Sequence, residues 1–278
     1  MRRAVAELSA AGIEDASLEA EVLLRHALGL DRAQFYARLS EEISPGGRTA
    51  FDALLARRLR REPTAYIVGR REFYGLTLDM TPAAPIPRPE TELLVDEALA
   101  QARRLRHAYR GPHIVDVGTG CGAIALAVAI HLPVARLTAT DASQDALDLA
   151  RCNAEKLGLS GRVRFALGDL LSPLAEPANI VVANLPYVPS CEWEDLAPEI
   201  RCYEPRAALD GGPDGLRLIE RLLCQAPAHV RSPGAVILEI GHDQGAAVAA
   251  LAHQAFPVAV IAVKKDLASL DRAVVIET

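Results

Sequence analysis

Residues 114–129, IVDVGTGCGAIALAVA, constrain the fold more than any other stretch. A β-branched run at Ile114, Val115 and Val117 meets a turn holding Gly118, Gly120 and Gly122, and an apolar, helix-forming segment follows directly. Strand, glycine turn and helix in that order form the opening unit of an open α/β sheet that binds a ligand at the turn. Glycines there allow conformations and close approaches that a side chain forbids, and the first amides of the new helix have no partner within it. Asp116 stands two residues ahead of the first glycine. A carboxylate at that position accepts from a cationic or hydroxyl-bearing ligand and repels a pyrophosphate, which points to a cofactor without phosphate.

The chain beyond residue 111 alternates between the two regular structures. Strands are expected at 113–117, 134–140, 162–167, 178–183, 234–240, 257–263 and 273–277, and helices at 121–131, 143–157, 213–230 and 243–255. This predicts an α/β fold with an open, mainly parallel sheet covered on both faces. Only VKKDLASLDR, residues 263–272, separates the last two strands. That is too short for a helical crossover, so they are expected to pair as an antiparallel hairpin.

The part before the sheet has a different texture. Residues 1–62 carry apolar side chains at helical spacing, with Asp15 and Ser17 as candidate caps, a short aromatic helix around Phe35 and Tyr36, and SPGG at 44–47 as a break. Arg57, Arg58, Arg60 and Arg61 form one basic cluster, readable as a solvated helix end or as a surface for an anionic partner. Residues 66–81 alternate like a strand pair, and prolines at 82, 85, 87 and 89 then stiffen the chain around Arg88, Glu90 and Glu92. The expected divisions are 1–62, a helical domain; 63–91, a β-hairpin and proline-rich connector; and 92–278, the sheet domain.

Charge and cysteine usage narrow the function. Residues 1–110 hold 17 basic and 16 acidic side chains, whereas 111–278 hold 13 and 20. An acidic body does not suit binding to naked nucleic acid by phosphate neutralisation. The five cysteines are widely spaced with no CxxC pair, so neither a zinc knuckle nor a disulfide framework is indicated, and a reducing, cytoplasmic setting is expected. No clean run of about 18 apolar residues suggests a membrane span. The seven histidines are scattered and form no metal-ligating cluster, and no Ser-His-Asp or HExxH arrangement occurs.

Four successive strands end in a polar residue beside a turn: Asp116, Asp141, Asp169 in Gly168-Asp169-Leu170, and Asn184 in Asn184-Leu185-Pro186-Tyr187. Ligands of open α/β sheets bind in that crevice. Asp141 is placed to accept from ribose hydroxyls. The Asn184 amide oxygen and the Leu185 carbonyl make two acceptors for a planar NH2 group, on which Tyr187 can stack. Such a pair suits an amide or exocyclic amine nitrogen attacking an electrophilic methyl group.

With these residues assembled, the chain resembles the S-adenosylmethionine-dependent methyltransferases that modify the glutamine of peptide chain release factors, the PrmC/HemK-like group. REPTAYIVGRREFYG (61–75), PIPRPETELLV (85–95), DVGTGCGAIALA (116–127), NLPYVP (184–189) and YEPRAALDGGPDG (203–215) carry the match, and EIGHDQG (239–245) adds to it. The resemblance spans nearly the whole chain. It implies a seven-stranded, Rossmann-like class I methyltransferase sheet preceded by a small helical substrate-recognition domain and a connecting hairpin. Gly118, Thr119, Gly120, Cys121 and Gly122 would cradle the methionine part of S-adenosylmethionine, with Asp116 beside them. Asp141 would bind the ribose, and Asp169 and Leu170 would flank the adenine. Asn184 would meet both the methyl region and the substrate amide. Leu185, Pro186 and Tyr187 would complete the catalytic loop, and Arg88 and Glu90 would join the substrate side.

The implied reaction is in-line transfer to the amide nitrogen of the glutamine in a GGQ tripeptide of class I release factors, yielding N5-methylglutamine and S-adenosyl-L-homocysteine, without a metal and without a tuned base. Neither direct binding of naked nucleic acid nor a membrane partner is expected. The family usually has proline where Leu185 stands, and a glycine-arginine pair is missing from LASLDRAVV near the C-terminus. Asn-x-Pro-Tyr also occurs in N6-adenine methyltransferases of RNA or DNA, which remain the alternative at this stage, together with a non-catalytic cofactor-binding protein.

Overall fold

The computed structural model describes residues 1–278, and they divide into two units: Met1–Arg70 with Ala197–Tyr203, and Arg71–Leu196 with Glu204–Thr278. In the first, the helical spacing yields α1 (Arg2–Ala10), α2 (Ala16–Leu28), α3 (Arg32–Ala37), α4 (Pro45–Leu59) and α5 (Thr64–Val68). Leu8, Leu23, Leu24, Phe35, Phe51, Leu55 and Ile67 close one apolar core between them.

Local chemistry sets the helix starts. Asp31 accepts from the Gln34 amide at 2.7 Å while Gln34 Oε1 accepts from the Asp31 amide at 3.1 Å, a capping box on α3. Asp15 occupies the cap position of α2 but makes no side-chain capping bond. Ser44 accepts from the Gly47 amide at 3.1 Å, with Pro45 in the first turn of α4. Ser-Pro-Gly-Gly is therefore not the expected break but the start of a helix, where proline's missing N–H is no loss.

The basic cluster also departs from expectation. Arg58 is buried and pairs with Glu19 at 3.0 Å and Glu199 at 2.9 Å, and Arg61 pairs with Glu199 at 2.8 Å. Arg57 holds Glu62 through Nε at 2.8 Å. Three of the four arginines thus bind carboxylates of their own unit. One of those, Glu199, lies 141 residues away from Arg58, beyond any local pattern.

In the second unit β1 (Arg70–Phe73) and β2 (Leu76–Asp79) form a hairpin. Tyr66 and Ile67, expected at the start of that strand pair, are instead helical in α5. The proline stretch leads through a 3-10 turn at Pro89–Thr91 into α6 (Glu92–Arg104). Then come β3 (His113–Val117), α7 (Ala123–His131), β4 (Arg136–Asp141), α8 (Gln144–Lys156), β5 (Val163–Leu167), β6 (Ala178–Ala183), β7 (Val188–Pro189), α9 (Pro198–Tyr203, of the helical unit) and β8 (Asp210–Gly212). The chain ends with α10 (Arg217–His229), β9 (Val230–Glu239), α11 (Gly245–Ala255), β10 (Val260–Lys265) and β11 (Asp271–Glu277).

Seven strands form the main sheet in the order β10-β11-β9-β6-β3-β4-β5. The pairs β9-β6, β6-β3, β3-β4 and β4-β5 are parallel. Strand β11 runs antiparallel to both neighbours, as the short link before it requires. Every residue of β3 and β6 is buried, which explains why β-branched residues and alanine dominate both strands. Helix α6 packs on α7, β6 and β9, and α10 packs on α11 and β9. From β3 the chain steps outward to β4 and β5, then returns to β6 on the other side of β3. That reversal leaves a crevice at the carboxyl ends of β3 and β6, where ligands bind in such sheets. No helix is long and apolar enough to cross a membrane.

Candidate active site

The turn after β3 lines the crevice on one side. Gly118, Gly120 and Gly122 take φ of 71°, 56° and 87°, a region that L side chains rarely enter. The turn is pinned from below and from β4. Asp116 Oδ2 accepts from Thr119 Oγ1 at 2.6 Å and from the Ala125 amide at 3.1 Å, while the Gly118 and Thr119 amides donate to the Thr140 carbonyl at 2.9 and 3.0 Å. Asp116 Oδ1 is buried without a partner. Burial pushes this carboxyl up to about 6, against the Thr119 and Ala125 hydrogen bonds.

The loop after β6 makes the facing wall. Asn184 Nδ2 donates to Thr91 Oγ1 at 3.1 Å, and the Tyr187 hydroxyl donates to Glu239 Oε1 at 3.2 Å. Behind the loop, β7 and β8 pair, with the Val188 amide donating to the Leu209 carbonyl at 3.0 Å. Gln244 Nε2 donates to the Tyr187 carbonyl at 2.9 Å. The glycines of LDGGPDG permit this backing: a Cβ on Gly211 would lie 2.6 Å from the Pro186 carbonyl oxygen, and one on Gly215 would meet the Tyr187 carbonyl oxygen still more closely. Leu185 is buried in the apolar cluster with Val117, Leu170, Leu171 and Ala183. The sequence reading used only its carbonyl; its side chain is also part of the core.

Two cavities meet at these walls. The larger, of about 450 Å³, is lined by Val117, Thr140, Asp141, Ser143, Asp169 and Leu170. The smaller, of about 110 Å³, is lined by Arg88, Thr91, Thr119, Cys121, Tyr187, Glu204 and Glu239. Gly118, Gly120, Asn184, Leu185 and Pro186 line both. Most residues expected from the sequence are thus brought together. Asp116 and Gly122 line neither cavity and act beneath the turn, and Glu90 is exposed on the 3-10 turn.

In the larger cavity Asp141 accepts from the Gly120 amide (2.9 Å) and the Ser143 amide (2.9 Å), one bond to each oxygen. Each oxygen keeps a second lone pair, enough for two hydroxyls. Asp169 pairs with Arg221 at 2.5 Å, at the cavity's rim. Leu170 takes φ of 51°, and its carbonyl accepts from Thr140 Oγ1 at 3.0 Å. A neutral or cationic nucleoside fits.

Three residues of the smaller cavity were not singled out from the sequence: Thr91, Glu204 and Glu239. The Glu204 side chain is buried and accepts from the Ile86 amide at 3.1 Å and from Arg88 Nη2 at 2.5 Å, which fastens the proline stretch to the cavity. Glu239 closes β9 just as Asp116, Asp141 and Asn184 follow the same rule on β3, β4 and β6. The signal that finds it is a fifth polar residue at a strand's carboxyl end.

A family model described as the PrmC N-terminal domain matches residues 1–69, and one described as the methyltransferase small domain matches residues 91–199. A release factor glutamine methyltransferase of Moorella thermoacetica is 46% identical over 250 residues, covering 90% of this chain and 87% of the relative. One of Cereibacter sphaeroides is 39% identical over 274 residues, covering 99% and 95%. Among solved structures, the hMettl16 catalytic domain in complex with an RNA hairpin aligns with a TM-score of 0.57 at 13% identity over 77% of this chain and 81% of that one. The Thermus thermophilus 16S rRNA N2 G1207 methyltransferase, in complex with AdoMet and guanosine, aligns with a TM-score of 0.51 at 18% identity over 75% and 49%. These two likenesses share the methyltransferase fold. Identity along nearly full length decides the family, and the chain belongs to the release factor glutamine methyltransferases.

Proposed function

We propose that the protein transfers the methyl group of S-adenosylmethionine to the side-chain amide nitrogen, N5, of the glutamine in the GGQ tripeptide of class I release factors. The observation that carries this reading is the loop Asn184-Leu185-Pro186, shared by a nucleoside-sized cleft and a smaller cavity. Asp141, with a free lone pair on each oxygen, suits the hydroxyls of a nucleoside. When bound, that cofactor supplies a methyl group activated by a sulfonium.

The chain's own residues do the rest. Asp141 holds the ribose, Leu170 and Asp169 bound the base, and Gly118 and Gly120 let the backbone approach. Asn184 Oδ1 and the Leu185 carbonyl accept the two hydrogens of the glutamine amide, turning its nitrogen toward the larger cavity. Holding nucleophile and methyl in line supplies most of the acceleration. The same acceptors stabilise the positive charge that develops on nitrogen. The product nitrogen then sheds its proton to water, so no tuned base is needed. The helical unit, matched by the PrmC N-terminal domain, recognises the body of the release factor. That partner places the enzyme in the cytoplasm, and five free cysteines suit a reducing setting there.

The test is transfer of labelled methyl from S-adenosylmethionine to three substrates: a release factor, the same factor with its GGQ glutamine changed to alanine, and an adenine-containing RNA. Label confined to the unmodified factor is expected. Label on RNA, or equal label on the alanine variant, overturns the reading.

A further inference from the structure

Most side-chain donors that line the smaller cavity are already spent within the protein. Thr119 Oγ1 donates to Asp116 at 2.6 Å, the Tyr187 hydroxyl donates to Glu239 at 3.2 Å, and Asn184 Nδ2 donates to Thr91 at 3.1 Å. A hydroxyl has one proton to give, so Thr119 and Tyr187 have none left. Arg88 differs. Its guanidinium carries five N–H bonds, and Glu204 Oε1 holds it at one nitrogen, Nη2, at 2.5 Å. The Arg88 side chain lines the cavity and is 35% exposed, while that of Glu204 is 1% exposed.

Arg88 is unusually constrained for an arginine. Prolines stand on both sides of it, at 87 and 89. Pro89 disfavours a helical conformation in the residue before it, and Arg88 is accordingly extended, at φ −93° and ψ 149°, with its carbonyl accepting from the Thr91 amide at 3.1 Å. The remaining freedom is in the side chain, and an arginine loses much rotamer entropy when a ligand has to order it. Glu204 removes that freedom beforehand. Its Oε2 accepts from the Ile86 amide at 3.1 Å while its Oε1 holds Arg88 Nη2, so one buried carboxylate grips main chain and guanidinium two residues apart. A planar guanidinium fastened at one nitrogen presents its other N–H bonds as a fixed fork.

In the reaction inferred above, this cavity receives the glutamine of a Gly-Gly-Gln segment. Glycine has no side chain, so beyond the glutamine amide only main-chain N–H and C=O groups are there to be recognised. A carbonyl that leaves water for the cavity costs free energy unless a donor meets it. Arg88 is the lining side chain with several N–H bonds to spare. We propose that Arg88 binds a main-chain carbonyl of the substrate's Gly-Gly-Gln segment and that Glu204 is the positioning residue that aims it. The inference rests on the glutamine reading of the site.

The test compares Glu204→Gln, Arg88→Met and the Glu204→Gln/Arg88→Met double variant, each confirmed folded by its melting curve. Calorimetric affinity for S-adenosylhomocysteine, kcat, and KM for release factor are measured for each. A main-chain carbonyl is bound alike before and during transfer, so losing its donor raises KM and leaves kcat. Arg88→Met should raise KM about 10- to 100-fold, the worth of one hydrogen bond to a charged group, with kcat and cofactor affinity within about threefold of wild type. Glu204→Gln, which keeps an acceptor but loses the charge, should raise KM about 3- to 10-fold. The double variant leaves no buried carboxylate unpaired, so it carries the test if Arg88→Met unfolds. Where both fold, its KM should match that of Arg88→Met within about twofold, because Glu204 acts through Arg88. The ratio of variant to wild-type KM should also hold within about twofold from about 0.05 to about 0.5 M salt, since a carbonyl carries no net charge to be screened. Unchanged KM in the double variant, a fall in kcat or cofactor affinity in place of the KM rise, or multiplied KM effects would overturn the inference and leave the function intact. So would a KM ratio that collapses toward one as salt rises, the mark of an acidic partner. A wild-type protein that methylates no release factor would overturn the function and this inference with it.

Discussion

Asp141 is the side chain proposed to serve the fold and the ligand together. Its two oxygens already hold the Gly120 and Ser143 amides, so the carboxylate is fixed in place before any ribose arrives. Asp141→Ala should weaken S-adenosylhomocysteine binding by roughly 1.5–3 kcal/mol for each hydroxyl bond lost, read by titration calorimetry. Unchanged affinity in a folded variant would remove Asp141 from the ribose site. Asp116 carries a different signature. Its folded pKa of about 6 lies above the unfolded value of 3.8, so the native state binds the extra proton. Its contribution is fully present below about pH 4 and is lost as pH rises through about 6. Relative to Asp116→Asn, the apo wild type should lose up to about 3 kcal/mol of unfolding free energy between pH 4 and pH 7. A pH-independent difference in chemical denaturation would contradict this. Both carboxylates were legible in the sequence because they end strands. Asp116's lack of any share in the cavity lining was not, since a strand-end position says nothing of which side of the turn a side chain occupies.

At the scale of elements, the catalytic loop depends on pieces whose roles were only partly legible. The seven main strands and the closing hairpin follow from β-branched runs and from the shortness of the link between β10 and β11, which is five residues, 266–270. The β7-β8 pair does not, because strands of two and three residues carry no periodicity. Nor does Ser44-Pro45-Gly46-Gly47 announce a helix, since capping and turn chemistry share the same residue types. Leu185 shows the same limit. The sequence reading assigned this position only a carbonyl, and only the structure shows the leucine side chain in the core beside Val117 and Leu170. Leu185→Pro should therefore keep kcat within a few-fold while costing about 1–3 kcal/mol in unfolding free energy, at the low end of the range for truncating a buried leucine. Wild-type stability would show that the packing carries no weight. Loss of turnover in a folded variant would show that the leucine amide or side chain shapes the site.

Across the whole molecule the chain does not divide at one point. Ala197–Tyr203 belongs to the helical unit although 126 residues of the other unit, Arg71–Leu196, precede it. Arg58 is buried and bonds the half-buried Glu199 at 2.9 Å while also holding Glu19, and Arg61 bonds Glu199 at 2.8 Å. Removing Arg58 leaves Glu19 without this arginine and Glu199 with Arg61 alone, which weakens the tie between the two segments. Arg58→Ala should accordingly speed hydrogen exchange in α2 and in Pro198–Tyr203 together, and exchange unchanged in either segment would show that the two are not held by this network. The expected boundary at residue 62 falls inside this unit, whose contacts continue to Arg70; composition changes near the prolines, whereas the packing does not. The central claim concerns the substrate atom reached from the smaller cavity, and tandem mass spectrometry addresses it most directly. A release factor is incubated with the protein and S-adenosylmethionine, digested, and its GGQ peptide fragmented. The expected result is the mass of one methyl group on the glutamine, with side-chain fragments placing it on the amide nitrogen. An unmodified GGQ peptide from a folded, cofactor-binding protein, or a methyl group on any other residue, would contradict it.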